Sequence, residues 1–528
     1  MLHMKKLLLV ILLLLAILAC TTSLPCQPTR VASESTRIAS QPTHVISRST
    51  RVPSQPTRVA PQLSGVAWDD RAIFREGLVG AEQATLDGMP GASVYHIDFE
   101  VADDFSTLAG HEEVLYTNRE ERSLDEVYFR LFPNTAGGGV TISTLTVDDQ
   151  EVEPVYEFAD SAMRIPLPTA LEPGAQVVIG MDFEVEVPQE MGGNYGLFGY
   201  FDGVLVLDEF YPVIPVYDDE GWNVEVPPPN ADVPYYDASF YLVHVTAPAE
   251  LTLVASGSDV GRDYEEGAQV VTFAAGPARG FYLAAAESLV VTSQVVGETT
   301  VNSYAFEEWG EGSDLALQVA VDALKSFNAR FGTYPYTEFD LVSTPMLALG
   351  MEYPGVVAIA LVLYDPDGEV SGLPAYVILE SAVAHEVGHQ WFYNVVGSDQ
   401  VDEPWVDEAV VQYITGLYYR DTYGEAAEQS YRGSWEDRWA RVDRADIPIG
   451  LPAVAYEGAE YGAIVYGRGP IFIALLEEEM GRETFDAFLR DYYETHKWGI
   501  GTGEAFKQLA EAHCECDLSA LFDAWVTP

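Results

Sequence analysis

The feature that most constrains this chain lies in residues 384–409, where two histidines stand four residues apart and a glutamate follows after eighteen more residues. His385 and His389 fall one turn apart on one face of a helix, so both imidazoles can bind one metal ion. Glu408 adds a third ligand, and Zn²⁺ is the usual ion for two imidazoles and a carboxylate. Glu386 can reach a water on the metal without ligating it. Three protein ligands leave one position open, as in a catalytic zinc site.

A buried helix that merely carries satisfied histidines is the alternative interpretation. The apolar flanks Val383, Val387 and Trp391 suit a buried helix of either kind. A carboxylate inside a second helical pattern, residues 405–409, favours the metal site, because coincidence rarely supplies the third ligand as well.

The N-terminus predicts export. Lys5 and Lys6 precede an apolar run over residues 7–19, which is too short to span a bilayer comfortably and suits the core of a signal peptide. The run ends at Cys20 in a pattern that resembles the bacterial lipobox, in which the cysteine is lipidated and becomes the mature N-terminus. An ordinary signal peptide cleaved nearby is the alternative. We expect a signal peptide over residues 1–19 and a lipid anchor at the outer face of a bacterial cell membrane.

Five seven-residue repeats fill residues 27–61. Each repeat has one large apolar residue and prolines recur, so this segment cannot bury a core. We expect a solvated, low-complexity tether over residues 20–64.

Two cysteines near the C-terminus, Cys514 and Cys516, are separated by one residue. This spacing is too close for an unstrained mutual bridge, and no second cysteine pair supports a metal site. We expect free thiols near the core.

The net negative charge of the chain argues against nucleic acids as partners. The chain has 82 acidic residues and 27 Lys or Arg residues, which gives a net charge of -55. Nucleic-acid binding requires a basic surface and is therefore not expected. The negative surface favours cationic ligands by long-range attraction, although most of these acids can simply be a solvated face.

Residues 95–289 alternate short apolar–polar runs with turn signals, and this pattern predicts an all-β domain, a sandwich or a saddle. A helical pattern starts at Asp314, which we predict to be the N-cap, and two strand-like runs follow at 339–342 and 350–359. Past Ser371 the pattern is helical to the end.

A small mixed sheet followed by helices that carry the histidine pair predicts a thermolysin-like catalytic domain. The expected fold class is a multidomain α+β protein. The predicted domain limits are residues 65–298 for the N-terminal β domain and residues 299–528 for the thermolysin-like α/β catalytic domain.

Four further motifs accompany the metal-site pattern: Gly350-Met351-Glu352, Gln390-Trp391-Phe392, Trp405-Val406-Asp407-Glu408 and Tyr466-Gly467-Arg468-Gly469. Together with the histidine and glutamate spacing, they resemble the M1 family of zinc aminopeptidases, the gluzincins related to aminopeptidase N and leukotriene A4 hydrolase. The resemblance covers residues 92–528. It implies one Zn²⁺ ion and peptide substrates with a free N-terminus.

The resemblance also implies roles for individual residues. Glu386 would take a proton from the attacking water and deliver it to the leaving amine. Tyr466 would donate a hydrogen bond to the oxyanion. Glu352 would bind the free α-amino group of the substrate, and the backbone of Gly350 and Met351 would pair with the peptide as an added edge strand.

Two departures from the family pattern bear on specificity. Tyr353 stands where an asparagine is usual, so we expect a reshaped pocket for the first substrate side chain. The chain stops at Pro528, where most relatives continue into a helical domain, so we expect a short form with a more open cleft. The predicted function is a zinc aminopeptidase. A zinc endopeptidase with an open cleft and a catalytically inactive surface binding protein are the alternatives.

Overall fold

The structure, a computed structural model, describes residues 47–49, 63–192, 195–226, 228 and 235–528. The predicted signal peptide, Cys20 and most of the predicted tether lie outside these residues. No helix among the described residues has both the length and the apolar character needed to cross a bilayer.

The strands are β1 (Ser47–Ser49), β2 (Val94–Val101), β3 (Thr107–Thr117), β4 (Leu124–Arg130), β5 (Gly139–Val147), β6 (Gln150–Glu151), β7 (Val155–Glu157), β8 (Ala162–Leu171), β9 (Gln176–Glu186), β10 (Phe198–Phe201), β11 (Val204–Leu207), β12 (Ser239–Pro248), β13 (Leu251–Ala255), β14 (Ser258–Glu265), β15 (Ala268–Ala278), β16 (Leu283–Glu287), β17 (Leu289–Val296), β18 (Thr299–Phe306), β19 (Glu338–Thr344), β20 (Gly350–Tyr353), β21 (Val356–Ala360), β22 (Glu369–Val370) and β23 (Leu373–Pro374).

The α-helices are α1 (Thr85–Gly88), α2 (Gly310–Arg330), α3 (Ala375–His389), α4 (Pro404–Tyr423), α5 (Glu425–Trp439), α6 (Glu460–Ala463), α7 (Gly469–Met480), α8 (Arg482–His496), α9 (Gly503–Cys514) and α10 (Ser519–Trp525). A π-helical turn, Ile464–Arg468, joins α6 to α7.

The N-terminal part of the described chain is built from three sheets. Eight strands form the largest, in the order β14-β15-β12-β2-β3-β9-β5-β6, and β4-β8-β7 form a second. The third, β10-β11-β16-β13, is a layer shared by two cores. Because side chains alternate along a strand, Val204 and Val206 of β11 face one core while Leu205 and Leu207 face the other.

The C-terminal part combines a mixed sheet with helices. Its sheet has the order β1-β17-β18-β19-β21-β20, with parallel pairing from β18 through β19 to β21 and antiparallel pairing of β20 on β21. Helix α2 lies against β17 and β18 and also contacts α3. A β-rich N-terminal region followed by a mixed sheet and helices confirms the predicted α+β class. The predicted domain limits stay a prediction.

Helix α2 begins earlier than its sequence indicates. It starts at Gly310, directly after a 3₁₀ turn over Glu307–Trp309, so Asp314 lies inside the helix and the predicted N-cap is wrong. Along this helix Val319, Ala323 and Phe327 share one face and are buried, while Leu315 on the same face is partly buried.

Cys514 and Cys516 are joined by a disulfide, so the expectation of free thiols is wrong. Glu515 between them is the C-cap of α9 and adopts a left-handed conformation with φ 51°. This reversal of the chain brings the two Cα atoms to 5.1 Å, which lies within the usual range for a disulfide. A spacing rule based on extended chain does not anticipate such a turn.

Arg279 connects the β region to the loops behind the helices. Its buried guanidinium donates to the carbonyl oxygens of Tyr236 at 2.7 Å, Asn394 at 3.1 Å, Val395 at 3.3 Å and Gly499 at 2.5 Å. A single side chain thus satisfies acceptors from three separate segments, one of which directly follows α3.

Candidate active site

Two buried helices bring the three predicted metal ligands together. His385 and His389 lie in the last turns of α3, and Glu408 lies in the first turns of α4, where Pro404 occupies the start of the helix. The His385 and His389 Nε2 atoms are 3.1 Å apart. Glu408 Oε2 lies 3.1 Å from His385 Nε2 and 3.6 Å from His389 Nε2.

These distances fit a metal ion. Four ligands placed tetrahedrally at about 2.0–2.1 Å from zinc lie about 3.3 Å from one another. The three observed separations, 3.1, 3.1 and 3.6 Å, bracket that value. Two imidazole nitrogens and a carboxylate are also the donor types that zinc prefers. All three side chains are buried, and burial of a carboxylate is costly unless a metal ion or another polar partner compensates its charge.

Behind the ligands runs a chain of buried hydrogen bonds. His389 Nδ1 donates to Asp407 Oδ1 at 2.8 Å, which leaves the Nε2 lone pair free for a metal. Gln400 Nε2 donates to Asp407 Oδ2 at 2.7 Å and to Glu352 Oε1 at 3.3 Å. The amide group of Gln400 therefore donates both of its N–H groups to carboxylates and links helix α4, which carries Asp407 and Glu408, to Glu352.

Glu386 is buried beside the ligands and close to the backbone of β20. An added Cβ on Gly350 would lie 2.6 Å from both Cγ and Cδ of Glu386, so only glycine permits this approach. Burial, followed by the negative charge of Glu352, raises the pKa of Glu386 well above its ordinary value. An unligated carboxyl with a raised pKa is suited to accepting and returning a proton near neutral pH.

Strand β20, which carries Gly350, Met351 and Glu352, is an edge strand of the mixed sheet, and among the described strands it pairs with β21 alone. An edge strand of this kind can accept a peptide as an added strand. The hairpin that follows is fixed by Gln390, which donates to Tyr353 O and accepts from the Gly355 N–H, both at 3.0 Å.

Tyr466 reaches the metal ligands from the π-helical turn. Its hydroxyl donates to Glu408 Oε1 at 2.5 Å. Tyr461 lies edge-on to Tyr466 with ring centroids 5.9 Å apart and is buried. A π-turn widens the local backbone, and such turns are frequent at functional sites.

The pKa values of His385 and His389 are shifted in opposite directions. Burial lowers the pKa of His385 to about 4, and Arg438 adds to the effect while Glu408 opposes it. Although burial acts against it, the charge of Glu352 and the partner Asp407 raise the pKa of His389 well above its ordinary value. The two histidines thus differ because burial dominates the pKa shift of His385, whereas nearby carboxylates outweigh burial at His389.

A cavity of about 390 Å³ opens onto these groups. Its lining includes every predicted site residue of the catalytic region: Gly350, Met351, Glu352, His385, Glu386, His389, Glu408 and Tyr466. Polar and charged residues that were not predicted also line it, among them Asp208, Gln412, Tyr431, Arg438 and Arg441.

Asp208 is the acid that sequence reasoning missed. It follows β11 directly, is buried, and lines the cavity. Burial and the charges of Glu209 and Glu352 raise the pKa of Asp208 well above its ordinary value. Two consecutive acids follow the apolar run of β11 in the sequence, but their distance along the chain from Glu352 gave no sign that Asp208 lies near it.

Tyr353 does not lie where the substitution suggested. Its ring stacks on Tyr282, with centroids 3.7 Å apart and planes 9° apart. Because side chains alternate along β20, Glu352 faces the cavity while Tyr353 packs into the core on the other side. The expected reshaping of the pocket by this residue is not seen among the residues that line the cavity.

Comparison with known proteins agrees with this architecture. Residues 315–525 match the peptidase family M1 domain. The chain is 25% identical over 308 residues to aminopeptidase 2 of Candida albicans, covering 56% of this chain and 33% of that protein. It is 24% identical over 414 residues to aminopeptidase N of Lactococcus lactis, covering 73% of this chain and 46% of that protein. The chain thus spans less than half the length of these relatives.

Among solved structures, a mutant of the M1 zinc metallopeptidase from Deinococcus radiodurans superposes with a TM-score of 0.63 at 18% identity, covering 83% of this chain and 95% of that one. A crystal structure of a mutant of that metallopeptidase bound to a Tyr-Ser-Ala substrate superposes with a TM-score of 0.59 at 19% identity, over 83% and 94% of the two chains. At this identity the likeness shows a shared fold. The match to the peptidase family M1 domain over residues 315–525 is thus accompanied by a fold shared with M1 metallopeptidase structures over most of the chain.

Proposed function

We propose that this chain is a zinc-dependent aminopeptidase that hydrolyses the first peptide bond of peptides with a free N-terminus. The observation that carries the proposal is the convergence, in one cavity, of a zinc-type ligand set, the carboxyl of Glu386 and a further carboxylate, Glu352. His385, His389 and Glu408 would hold one Zn²⁺ ion. Bound there, zinc supplies a Lewis acid that polarises the scissile carbonyl and acidifies water.

The protein's own residues carry the protons and orient the peptide. Glu386 accepts a proton from the attacking water and returns it to the leaving amine. Tyr466 turns its hydroxyl from Glu408 to the oxyanion, a contact typically worth a factor of 10²–10³ in rate. Asp407 keeps His389 in the tautomer that can bind metal.

Restriction to the N-terminus would come from Glu352, with help from Asp208. Both carboxylates face the cavity, so an α-ammonium group between them gains charge-assisted hydrogen bonds. Gly350 and Met351 present the free edge of β20, to which the peptide backbone can add as a strand. A blocked amine would leave the two carboxylates buried without a cation.

Cleavage of a free peptide and of its N-acetylated form tests this proposal. Wild-type protein should cleave Leu-Ala-Ala and leave acetyl-Leu-Ala-Ala intact, and a zinc chelator should abolish cleavage. Glu352→Gln should raise KM for the free peptide at least tenfold. Glu369→Gln, which changes an exposed acid on β22, is the matched control. Equal cleavage of both peptides would instead show an endopeptidase, and no cleavage of either would leave a binding protein.

We further propose that the protein is exported and anchored by lipid at Cys20, on the strength of the lipobox-like run that precedes it. Full-length protein expressed in bacteria should then partition into detergent and take up labelled palmitate. Cys20→Ser should abolish both. Unchanged partitioning of that variant would contradict the anchor.

A further inference from the structure

Arginines in the catalytic region are normally paired with acids, as the excess of carboxylates in this chain leads one to expect. The chain has 82 acidic residues against 27 Lys or Arg. The ion pairs include Arg330–Asp421 at 2.7 Å, Arg420–Glu428 at 2.9 Å, Arg432–Glu428 at 2.7 Å, Arg444–Glu436 at 3.1 Å and Arg482–Glu477 at 2.5 Å. An arginine without a carboxylate in this setting calls for a reason.

Two such arginines line the catalytic cavity. Arg438 lies in the last turn of α5, and Arg441 lies in the 3₁₀ turn that follows, Ala440–Val442. Within the described part of the chain, neither guanidinium has a carboxylate oxygen within 4.0 Å. Arg438 is half-buried and donates to the neutral Gln412 Oε1 at 3.2 Å, whereas Arg441 is exposed.

Glu352 and Arg438 contact different residues around the metal ligands. Glu352 is joined through Gln400 and Asp407 to His389. Arg438 bonds to Gln412, which lies one helical turn beyond Glu408 on α4. The wall of the cavity therefore carries both carboxylates and guanidiniums, together with the metal ligands.

We propose that Arg438 and Arg441 form a subsite that binds a carboxylate on the leaving side of the substrate. This rests on the proposed aminopeptidase function, in which Glu352 holds the α-ammonium group. A short peptide is a zwitterion whose two ends match the two charged parts of the wall. Guanidinium binds carboxylate through paired, planar hydrogen bonds, and at a partly buried site such bonds are about twice as strong as neutral ones.

The carboxylate can come from the C-terminus of a short peptide or from an acidic side chain just beyond the cleaved bond. Three substrates with the same free N-terminus separate these sources: Leu-Ala-Ala, Leu-Ala-Ala-amide and Leu-Ala-Asp-amide. Wild-type protein should cleave the first with kcat/KM about tenfold above the second. If Leu-Ala-Asp-amide is cleaved about as fast as Leu-Ala-Ala, the subsite binds an acidic side chain. If it is cleaved only as fast as Leu-Ala-Ala-amide, the subsite binds the C-terminal carboxylate.

The variants Arg438→Gln, Arg441→Gln and the double change test the residues. The double variant should reduce the ratio of kcat/KM for acid over amide to below twofold, mainly through KM. Arg441→Gln, which changes an exposed side chain, should reduce the ratio on its own. Arg444→Gln serves as the control, because Arg444 is exposed, already pairs with Glu436 and does not line the cavity.

Leu-p-nitroanilide separates failure of this subsite from failure of the proposed function. It has a free amine but no carboxylate, so its cleavage by wild-type protein tests the aminopeptidase alone. If the anilide is cleaved while acid and amide peptides react equally, the carboxylate subsite is overturned and the aminopeptidase stands. A double variant that folds, as judged by its Tm, and keeps the full preference for the acid would also overturn it.

Discussion

His389 Nδ1 donates a 2.8 Å hydrogen bond to Asp407 Oδ1, so a buried carboxylate orients one of the two metal-binding imidazoles. The other oxygen of Asp407 accepts from Gln400 Nε2 at 2.7 Å. Partners of this kind fix the ring and its tautomer, and their loss typically weakens metal binding 10–100-fold. Asp407 thus connects the metal ligands to the residue that would bind the substrate amine.

Asp407→Asn tests this arrangement. The asparagine oxygen can still accept from His389, but its amide nitrogen then faces the amide nitrogen of Gln400, donor against donor. We expect the Kd for zinc to rise about 10–100-fold, measured by competition with a chromogenic chelator. Asp402→Asn, at an exposed position two residues past Gln400, is the control. Equal zinc affinity of Asp407→Asn and wild type would contradict the role of Asp407.

Gly350→Ala tests the close approach of β20 to Glu386. The new Cβ would lie 2.6 Å from two carbons of the Glu386 side chain, so the carboxyl must move away from the ligands. We expect kcat to fall by at least about tenfold while zinc content is unchanged, since displacement of a general base by 1 Å has large effects. Gly433→Ala on α5, where an added Cβ meets nothing within 4 Å, should retain full activity.

Arg279→Met tests the connection between the β region and the loop after α3. The substitution leaves several buried carbonyl oxygens without their donor, and each such group costs about 1–3 kcal/mol. We expect the free energy of unfolding to fall by about 3 kcal/mol or more, seen by urea denaturation. Arg490→Met is the comparison, because Arg490 also donates to backbone carbonyls but is exposed. A loss no larger than that of Arg490→Met would count against the connection.

Glu338 makes stability depend on pH. Burial and the charge of Asp259 raise its pKa to about 7, against the hydrogen bond from Asn302 Nδ2, which also bonds to Asp340. Because this value exceeds the ordinary 4.5, the folded state binds the extra proton. The contribution of Glu338 to stability is therefore full below about pH 4.5 and is lost as pH rises through about 7.

Glu338→Gln checks this sign. The Tm of wild type minus that of the variant should decrease from pH 5 to pH 8, measured by differential scanning calorimetry. Glu369→Gln, on the exposed strand β22, should give a difference that does not vary with pH. A difference that grows toward pH 8 would refute the assignment.

The convergence of His385, His389 and Glu408 was predictable because it follows from helical periodicity. His385 and His389 lie one turn apart whatever surrounds them, and Glu408 carried its own helical pattern. The alternation of short apolar runs likewise predicted the β region. Each of these signals is local, so it does not depend on how distant segments meet.

Other features depend on long-range packing that no local pattern records. Asp208 reaches the cavity only because β11 belongs to a sheet shared by two cores. Arg438 and Arg441 face the same cavity because α5 packs against the π-helical turn that carries Tyr466. The Cys514–Cys516 disulfide depends on one left-handed residue at a helix end, which sequence spacing does not reveal.

The central claim is that His385, His389 and Glu408 hold one zinc ion at which Glu386 acts as a general base. Zinc content and cleavage of Leu-p-nitroanilide, measured on the same samples of wild type and Glu386→Gln, test it most directly. The account predicts one equivalent of zinc in both proteins, with kcat of the variant reduced by about 10²–10⁴. Wild-type activity without stoichiometric zinc, or a Glu386→Gln variant as active as wild type, would contradict it.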